Sequence, residues 1–233
     1  MKERGMIFNG EMVRAILDGR KTQTRRIVKG ADDAVKFCQE WDINGEEIFV
    51  VLGEKDHTGM NLVLGAISCP FGAVGDRIWV RETWATLGNE DGCCIDWEGN
   101  LCKGDERSAA RIYRASCEQR PGDYGLWSIP DDAYWKPHTQ EHKFEGAWRP
   151  SIHMPRWASR ILLEITNVRV ERLKSISDGD AVREGCSTAD MKSGDCVADV
   201  FARLWASIYG SDSWKTNPWV WVIEFKRVEG GAA

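Results

Sequence analysis

The sequence predicts an α+β fold in which short strands dominate and close into a small barrel with helices packed around it. Three observations carry that expectation. Segments rich in Val, Ile and Trp recur between Gly, Asp and Pro turn signals. Sustained helical periodicity is confined to a few stretches, of which the clearest lies near the C-terminus. Of 233 residues, 42% are apolar and 29% charged, which is ordinary globular usage with enough apolar side chains for a sizeable core. β-rich domains of this length are routinely single units, so residues 1–233 are read as one domain.

The first element is a helix from Asn9 to about Asp18: Asn9 suits an N-cap, Met12, Ala15 and Ile16 share a face, and Gly19 is placed to end it. A basic segment follows, Arg20-Lys-Thr-Gln-Thr-Arg-Arg26, which turns and enters a strand near Thr24. Strands are expected at Glu47–Leu52, Met60–Ile67 and, after the Gly75-Asp76 turn, Arg77–Glu82. The stretch 87–146 is rich in Gly, Asp, Glu and Cys, and within it only Ala109–Ala115 reads as a strand. It is taken as a loop-rich insertion, because it holds too few apolar residues for a core of its own. Arg160–Thr166 and Val168–Leu173 read as one long strand, or as two with a bend at Asn167. Ser177 and Asp180 have capping-box spacing for a short helix to Glu184. Between Asp195 and Tyr209, Val197, Val200, Phe201, Leu204, Trp205 and Ile208 recur at helical spacing, and Gly210 stops the helix. Trp219–Val228 is the last strand, apolar on both faces at its start.

The formal charge is -5, whereas a protein gripping long duplexes through many phosphates usually carries a basic surplus. Contact with a nucleic acid is therefore expected through a local basic pocket, and a small nucleoside fits the charge balance at least as well. Twelve tryptophans supply core mass and also stacking platforms for bases. The opening residues lack the apolar core of a secretory signal, and no run approaches the roughly 20 apolar residues of a membrane span, so a cytoplasmic location without membrane contact is expected. The eight cysteines form no C-x-x-C pair, and the four histidines give no zinc-like spacing. Cys93, Cys94 and Cys102 with His138 or His142 could be assembled into a metal site, but free thiols in a loop are the better reading, and neither metal nor cofactor is expected.

Four segments could carry chemistry. In Gly19–Arg26 the cations Arg20, Lys21, Arg25 and Arg26 would attract a phosphate or polarise a carbonyl, and Thr24 offers a nucleophilic hydroxyl. Read alone, this segment is more simply a solvated basic turn after a helix. In Arg77–Trp84, Glu82 and Trp84 share a strand face with Val80 and Ile78; a carboxylate there is either buried with a raised pKa or paired with an arginine. In Trp148–Arg160, two prolines extend a loop that displays His153 beside Trp148 or Trp157 for stacking and Arg149, Arg156 or Arg160 for phosphate contact, against the plainer reading of core tryptophans and ion-paired arginines. Asn217-Pro-Trp-Val-Trp-Val reads as core strand.

Together these segments resemble the ASCH domain family of the PUA-like superfamily. Gly19-Arg-Lys-Thr-Gln-Thr-Arg25 is similar to its G-x-K-x-x-x-R signature, and Gly75–Trp84 to its central strand. Ser151–Arg160 and Asn217–Phe225 are similar to the longer members often carried by bacteriophages and prophages. The resemblance implies a PUA-like pseudo-barrel, RNA or a modified nucleoside as partner, and, through a member that hydrolyses the amide of N4-acetylcytidine, a catalytic set of Lys21, Thr24 and Glu82. Arg20, Arg25, Arg26, Trp84, His153, Arg156 and Trp157 are then the substrate-binding candidates. In that scheme Lys21 takes the Thr24 proton, Thr24 attacks the amide carbon, and Glu82 orients Lys21 or returns the proton to the leaving amine. Two other readings stand beside it: a non-catalytic RNA-binding module, and a metal-independent ribonuclease using Lys21, Arg25 and Glu82. The long insertion leaves the substrate itself open.

Overall fold

The computed structural model describes residues 1–88, 93–102, 104–120, 123–124 and 148–228. His138, His142 and the remainder of the 87–146 insertion lie outside them. In chain order the elements are β1 (Glu3–Ile7), α1 (Gly10–Leu17), β2 (Gln23–Ile27), β3 (Lys36–Trp41), β4 (Glu47–Lys55), β5 (Asn61–Ile67), β6 (Arg77–Arg81), β7 (Trp84–Thr86) and β8 (Arg111–Tyr113). There follow α2 (Arg114–Cys117), β9 (Glu118–Arg120), β10 (Asp123–Tyr124), β11 (Leu162–Arg172), α3 (Asp178–Arg183), α4 (Val197–Tyr209) and β12 (Trp219–Arg227).

The fold is mixed α+β. Five strands are hydrogen-bonded in the order β1-β6-β11-β12-β2, three in the order β3-β4-β5, and β7-β8 and β10-β9 form pairs. The largest sheet runs between two distinct edge strands, so among the described residues the expected small barrel is not closed. Local periodicity identifies strands but not which strands pair, and closure depends on that long-range choice. Among the described residues no helix is long and apolar enough to cross a membrane.

The chain packs as two compact units. The first comprises Met1–Arg4, Asp18–Ile78 and Leu163–Val228. Its centre is β12, where Val220, Trp221, Val222 and Ile223 are all buried, as a strand apolar on both faces must be when it is flanked on both sides. β11 and β2 flank it antiparallel, with Val168 opposite Ile223 on one side and Thr24 opposite Ile223 on the other. β11 is one continuous strand whose register slips between Ile165 and Asn167, a bulge where a break into two strands was the alternative. α4 lays Val197, Val200, Phe201 and Trp205 against Leu173, Ala181, Val220 and Val222. Burying side chains of this size contributes roughly 1.5–3 kcal/mol each, which is what holds the helix down. The helix begins two residues later than Asp195, with the Asp199 carboxylate accepting the Cys196 N–H at 2.8 Å, and it ends at Gly210, whose φ of 92° suits a residue without Cβ. Ile208, expected on the buried face, is 46% exposed; it lies in the last turn, beyond the reach of the core cluster. The β3-β4-β5 sheet meets β12 through edge-to-face pairs, Phe37 on Trp219 and Phe49 on Trp221, both at 5.0 Å.

The second unit comprises Gly5–Leu17 and Trp79–Leu162 among the described residues. The Asn9 side chain accepts the Met12 N–H at 2.8 Å, and α1 buries Met12, Val13, Ala15 and Ile16. Gly5 is required by a close approach: a Cβ there would lie 2.6 Å from the Trp79 ring. Trp84, Ala85 and Thr86 of β7 pair with Tyr113, Ile112 and Arg111 of β8. The expected Ala109–Ala115 strand is shorter, since the chain turns into the four-residue α2 at Arg114. The described part of the insertion supplies Leu87, Ala110, Ile112 and Cys117 to one buried cluster, completed by Ala85 from the preceding strand.

Candidate functional site

In the first unit, the basic segment folds inward rather than solvating a helix end. Lys21 is 2%, Thr24 0% and Arg25 1% exposed. Two backbone bonds fix the turn before β2: the Thr22 N–H donates to Arg183 O, and the Thr22 carbonyl accepts the Phe225 N–H, each at 2.9 Å. Thus α3 and β12 clamp the segment from two sides. Lys21 Nζ donates to the Glu184 carboxylate at 2.7 Å and to the Glu184 backbone carbonyl at 2.8 Å. Arg25 Nη1 donates to the other Glu184 oxygen at 3.2 Å, and its Nη2 lies 3.4 Å from both Glu171 and Asp180. Around these sit Arg169, paired with Glu171 at 2.6 Å and with Glu224, and Arg183, paired with Asp180. Desolvating such charges is expensive, so their mutual pairing is obligatory.

Burial pushes the Lys21 ammonium below its ordinary pKa; Glu184 opposes that pull, and the positive charge of Arg26 adds to it. Asp180 is held down at about 2. Partial burial would raise it, but bonds from the Ser177 N–H and hydroxyl, and the charges of Arg183 and Arg25, prevail. Among the described residues, two buried donors of this cluster have no partner: Gln23 Nε2 and Arg25 Nε. The Gln23 amide is oriented, because its Oε1 accepts from Arg169 Nη2 and Arg183 Nε, both at 3.4 Å. Such a donor left dry costs roughly 1–3 kcal/mol, so the cluster is disposed to take an acceptor.

Thr24, expected in a polar turn, is instead wholly enclosed on β2. Its Oγ1 accepts from Arg26 Nη1 at 2.9 Å, and strand alternation sends it to the face opposite Gln23 and Arg25. Arg20 stays at the surface, bonded to Asp18 and to Gly185 O at 3.1 Å each.

In the second unit, Glu82 is 2% exposed, and both of its oxygens are taken by Arg160, at 2.9 and 3.0 Å. Arg160 lies 4.1 Å over the Tyr113 ring, whose hydroxyl donates to Ala158 O at 2.9 Å. Burial pushes the Glu82 carboxyl up against the counter-pull of Arg160. Glu82 also borders a cleft of about 390 Å³ with Asn9, Gly10, Thr83, Arg114 and Ser151. Trp84 is 1% exposed, set edge-on against Trp157 at 5.5 Å with the Arg149 guanidinium 4.9 Å over its ring. It is a core tryptophan here, not an open platform. His153 is exposed on a short 3-10 turn, and Arg156 and Trp157 are half-buried on the next.

The structure therefore places Lys21, Thr24, Arg25 and Arg26 in the first unit and Glu82, Trp84, His153, Arg156 and Trp157 in the second. Sequence reasoning missed Glu184, Asp180, Arg169 and Gln23 as members of the Lys21 cluster. The one available signal was the capping box at Ser177, which fixed where Asp180 and Glu184 fall on α3. Among the described residues no group of His, Cys, Asp and Glu is arranged to hold a metal ion. No family model, curated protein or solved structure matches the chain.

Proposed function

We propose that the chain is an ASCH-type, PUA-like protein that binds a nucleobase at the Lys21 cluster and removes an acyl group from an N4-acylated cytidine. The observation that carries this reading is the enclosed Lys21, its pKa lowered by burial, set 2.7 Å from a carboxylate in a cluster with two unpartnered donors. A lysine so placed gives up its proton more readily than an exposed one, which suits it to the role of base. The carboxylate partner is Glu184 in place of Glu82, because Glu184 is the acid that meets Lys21. Thr24 Oγ1 lies on the strand face opposite Arg25, so in this reading neutral Lys21 takes the Thr24 proton through a bridging water as the Thr24 oxygen bonds to the acyl carbon. The C–N4 bond then breaks with the proton passing to N4, and water cleaves the acyl-threonine ester. Arg26, donating to Thr24 Oγ1, favours the developing alkoxide. Because Lys21 and Thr24 are enclosed, substrate reaches them only when the residues over them part.

The complete burial of Thr24 favours a second reading, a purely structural ion-pair core. The test is incubation of the purified protein with N4-acetylcytidine, and separately with labelled RNA. Release of acetate by wild type and by Glu82→Gln, lost in Lys21→Ala, Thr24→Ala and Glu184→Gln, is the expected result. Loss in Glu82→Gln alone would return the acid role to Glu82. No turnover, with salt-sensitive RNA retention, would assign a binding module; RNA cleavage would assign a ribonuclease; neither would leave the cluster structural.

A further inference from the structure

We propose that Cys94 and Cys102 are a reversible disulfide pair, closed and reopened by thiol exchange, that fastens the first hairpin of the 87–146 insertion. The backbone brings the two together. Ile95 and Leu101 form an antiparallel bridge, so Cys94 and Cys102 are the next facing residues, and the Cys102 N–H donates to the Cys94 carbonyl at 2.9 Å. Asp96 fixes the turn between them. Its backbone N–H donates to Asn100 O at 3.0 Å, and its carboxylate accepts the Glu98 and Asn100 N–H groups at 3.0 and 2.8 Å.

Facing residues of a hydrogen-bonded antiparallel pair lie about 5.5 Å apart at Cα, inside the roughly 4.4–6.8 Å that a disulfide spans. They also project from the same face. Ile95 packs on the buried cluster of Ala85, Leu87 and Ala110, so alternation places both thiols on the other face. Both cysteines are half-buried, within reach of a small reagent. Cys94 Sγ donates to Thr86 Oγ1 at 3.7 Å and Cys102 Sγ to Asn100 O at 3.9 Å, and thiol bonds are too weak to withhold either sulfur from exchange. Among the described residues no other two cysteines face each other across a strand pairing, and Cys69, Cys117 and Cys186 are buried.

The oxidant is a low-molecular-weight disulfide such as glutathione disulfide. One protein thiolate attacks a sulfur of that reagent; the protein–glutathione bond forms as the reagent's S–S bond breaks, and the departing thiolate takes up a proton. The facing thiolate then attacks the protein sulfur of the mixed disulfide and expels the second glutathione. Two protein thiols are oxidised, one disulfide is reduced to two thiols, and excess thiol drives the sequence backwards.

Cysteines this close in sequence can also meet in an unfolded chain, so the experiment compares the two states. The full-length protein is equilibrated in glutathione buffers of graded ratio, without and with denaturing urea, and quenched by alkylation. Cleavage at Asp and Glu then puts Cys94 and Cys102 on separate peptides for mass spectrometry. Wild type and Cys93→Ser are expected to yield peptides joined through Cys94 and Cys102. In Cys93→Ser the equilibrium constant for closure should be roughly tenfold greater folded than in urea, because the turn holds the pair in place. Cys94→Ser and Cys102→Ser should yield only alkylated thiols or glutathione adducts at the position that remains. A bond that uses the exposed Cys93, adducts with no bond between the pair, or closure no more favourable folded than unfolded would each overturn the proposal.

Discussion

Two buried pairs of cation and carboxylate, one in each unit, solve the same electrostatic problem in different ways. Glu82 and Arg160 form a closed fork: two parallel bonds, one partner each, with the guanidinium 21% exposed and stacked on a tyrosine. Lys21, Arg25 and Glu184 are part of a web in which Glu184, Glu171 and Asp180 each serve more than one cation, and the Lys21 and Arg25 side chains are wholly enclosed. A bidentate fork gives a fixed geometry with little left to adjust. A shared, desolvated web leaves the proton on its lysine more loosely held and its energy dependent on every member. The fork is a fastening, whereas the web has the makings of chemistry.

The comparison is open to direct attack. The largest effect should come from Glu184→Ala, which leaves the enclosed Lys21 without its carboxylate and takes one of three from Arg25; urea unfolding should show a loss of about 3–5 kcal/mol. Arg160→Ala should cost less, about 1.5–3 kcal/mol, because the vacated side is partly open and water can reach Glu82. Equal losses would erase the distinction between web and fork. Thr24→Ala should lower stability by about 1 kcal/mol, the typical worth of one buried hydroxyl bond, while abolishing turnover if the proposed chemistry is correct.

The smallest effect is in the pH dependence. The Lys21 pKa is lowered on folding, so between its folded value and the unfolded 10.5 the unfolded chain binds more protons. Stability carried by this group therefore rises with pH across that window. Subtracting the stability curve of Lys21→Met from that of wild type should leave a difference that grows toward pH 10.5, and a flat or falling difference would contradict the lowered pKa.

Much of the fold was legible because it is written locally. The Asn9 cap, the Ser177 capping box, the helix ended by Gly210 and the doubly apolar β12 each rest on residues a few positions apart. β3 escaped notice because Lys-Phe-Cys-Gln-Glu-Trp alternates weakly; its register comes from β4. Part of the site escaped for a different reason. Lys21 meets an acid 163 residues away, and no spacing rule spans that interval. Thr24 was misplaced because a threonine between polar neighbours reads as surface, whereas β2 is covered by a strand and by α3. The two arginines of Arg25-Arg26 divide between the faces of β2, as strand alternation requires of neighbours on the strand expected from near Thr24.

The capping box of α3 has a consequence for how this chain can vary. The helix is only six residues long, too short to persist unaided in water, yet it carries Asp180 near its start and Glu184 at its end. Each residue turns an α-helix by about 100°, so inserting or deleting one residue between Ser177 and Glu184 would swing the second carboxylate a quarter-turn or more away from Lys21 while leaving the cap intact. The interval from 177 to 184 is thus a fixed ruler. The loop beyond it is less constrained at Gly194, φ 88°, where an added Cβ would meet nothing within 4 Å.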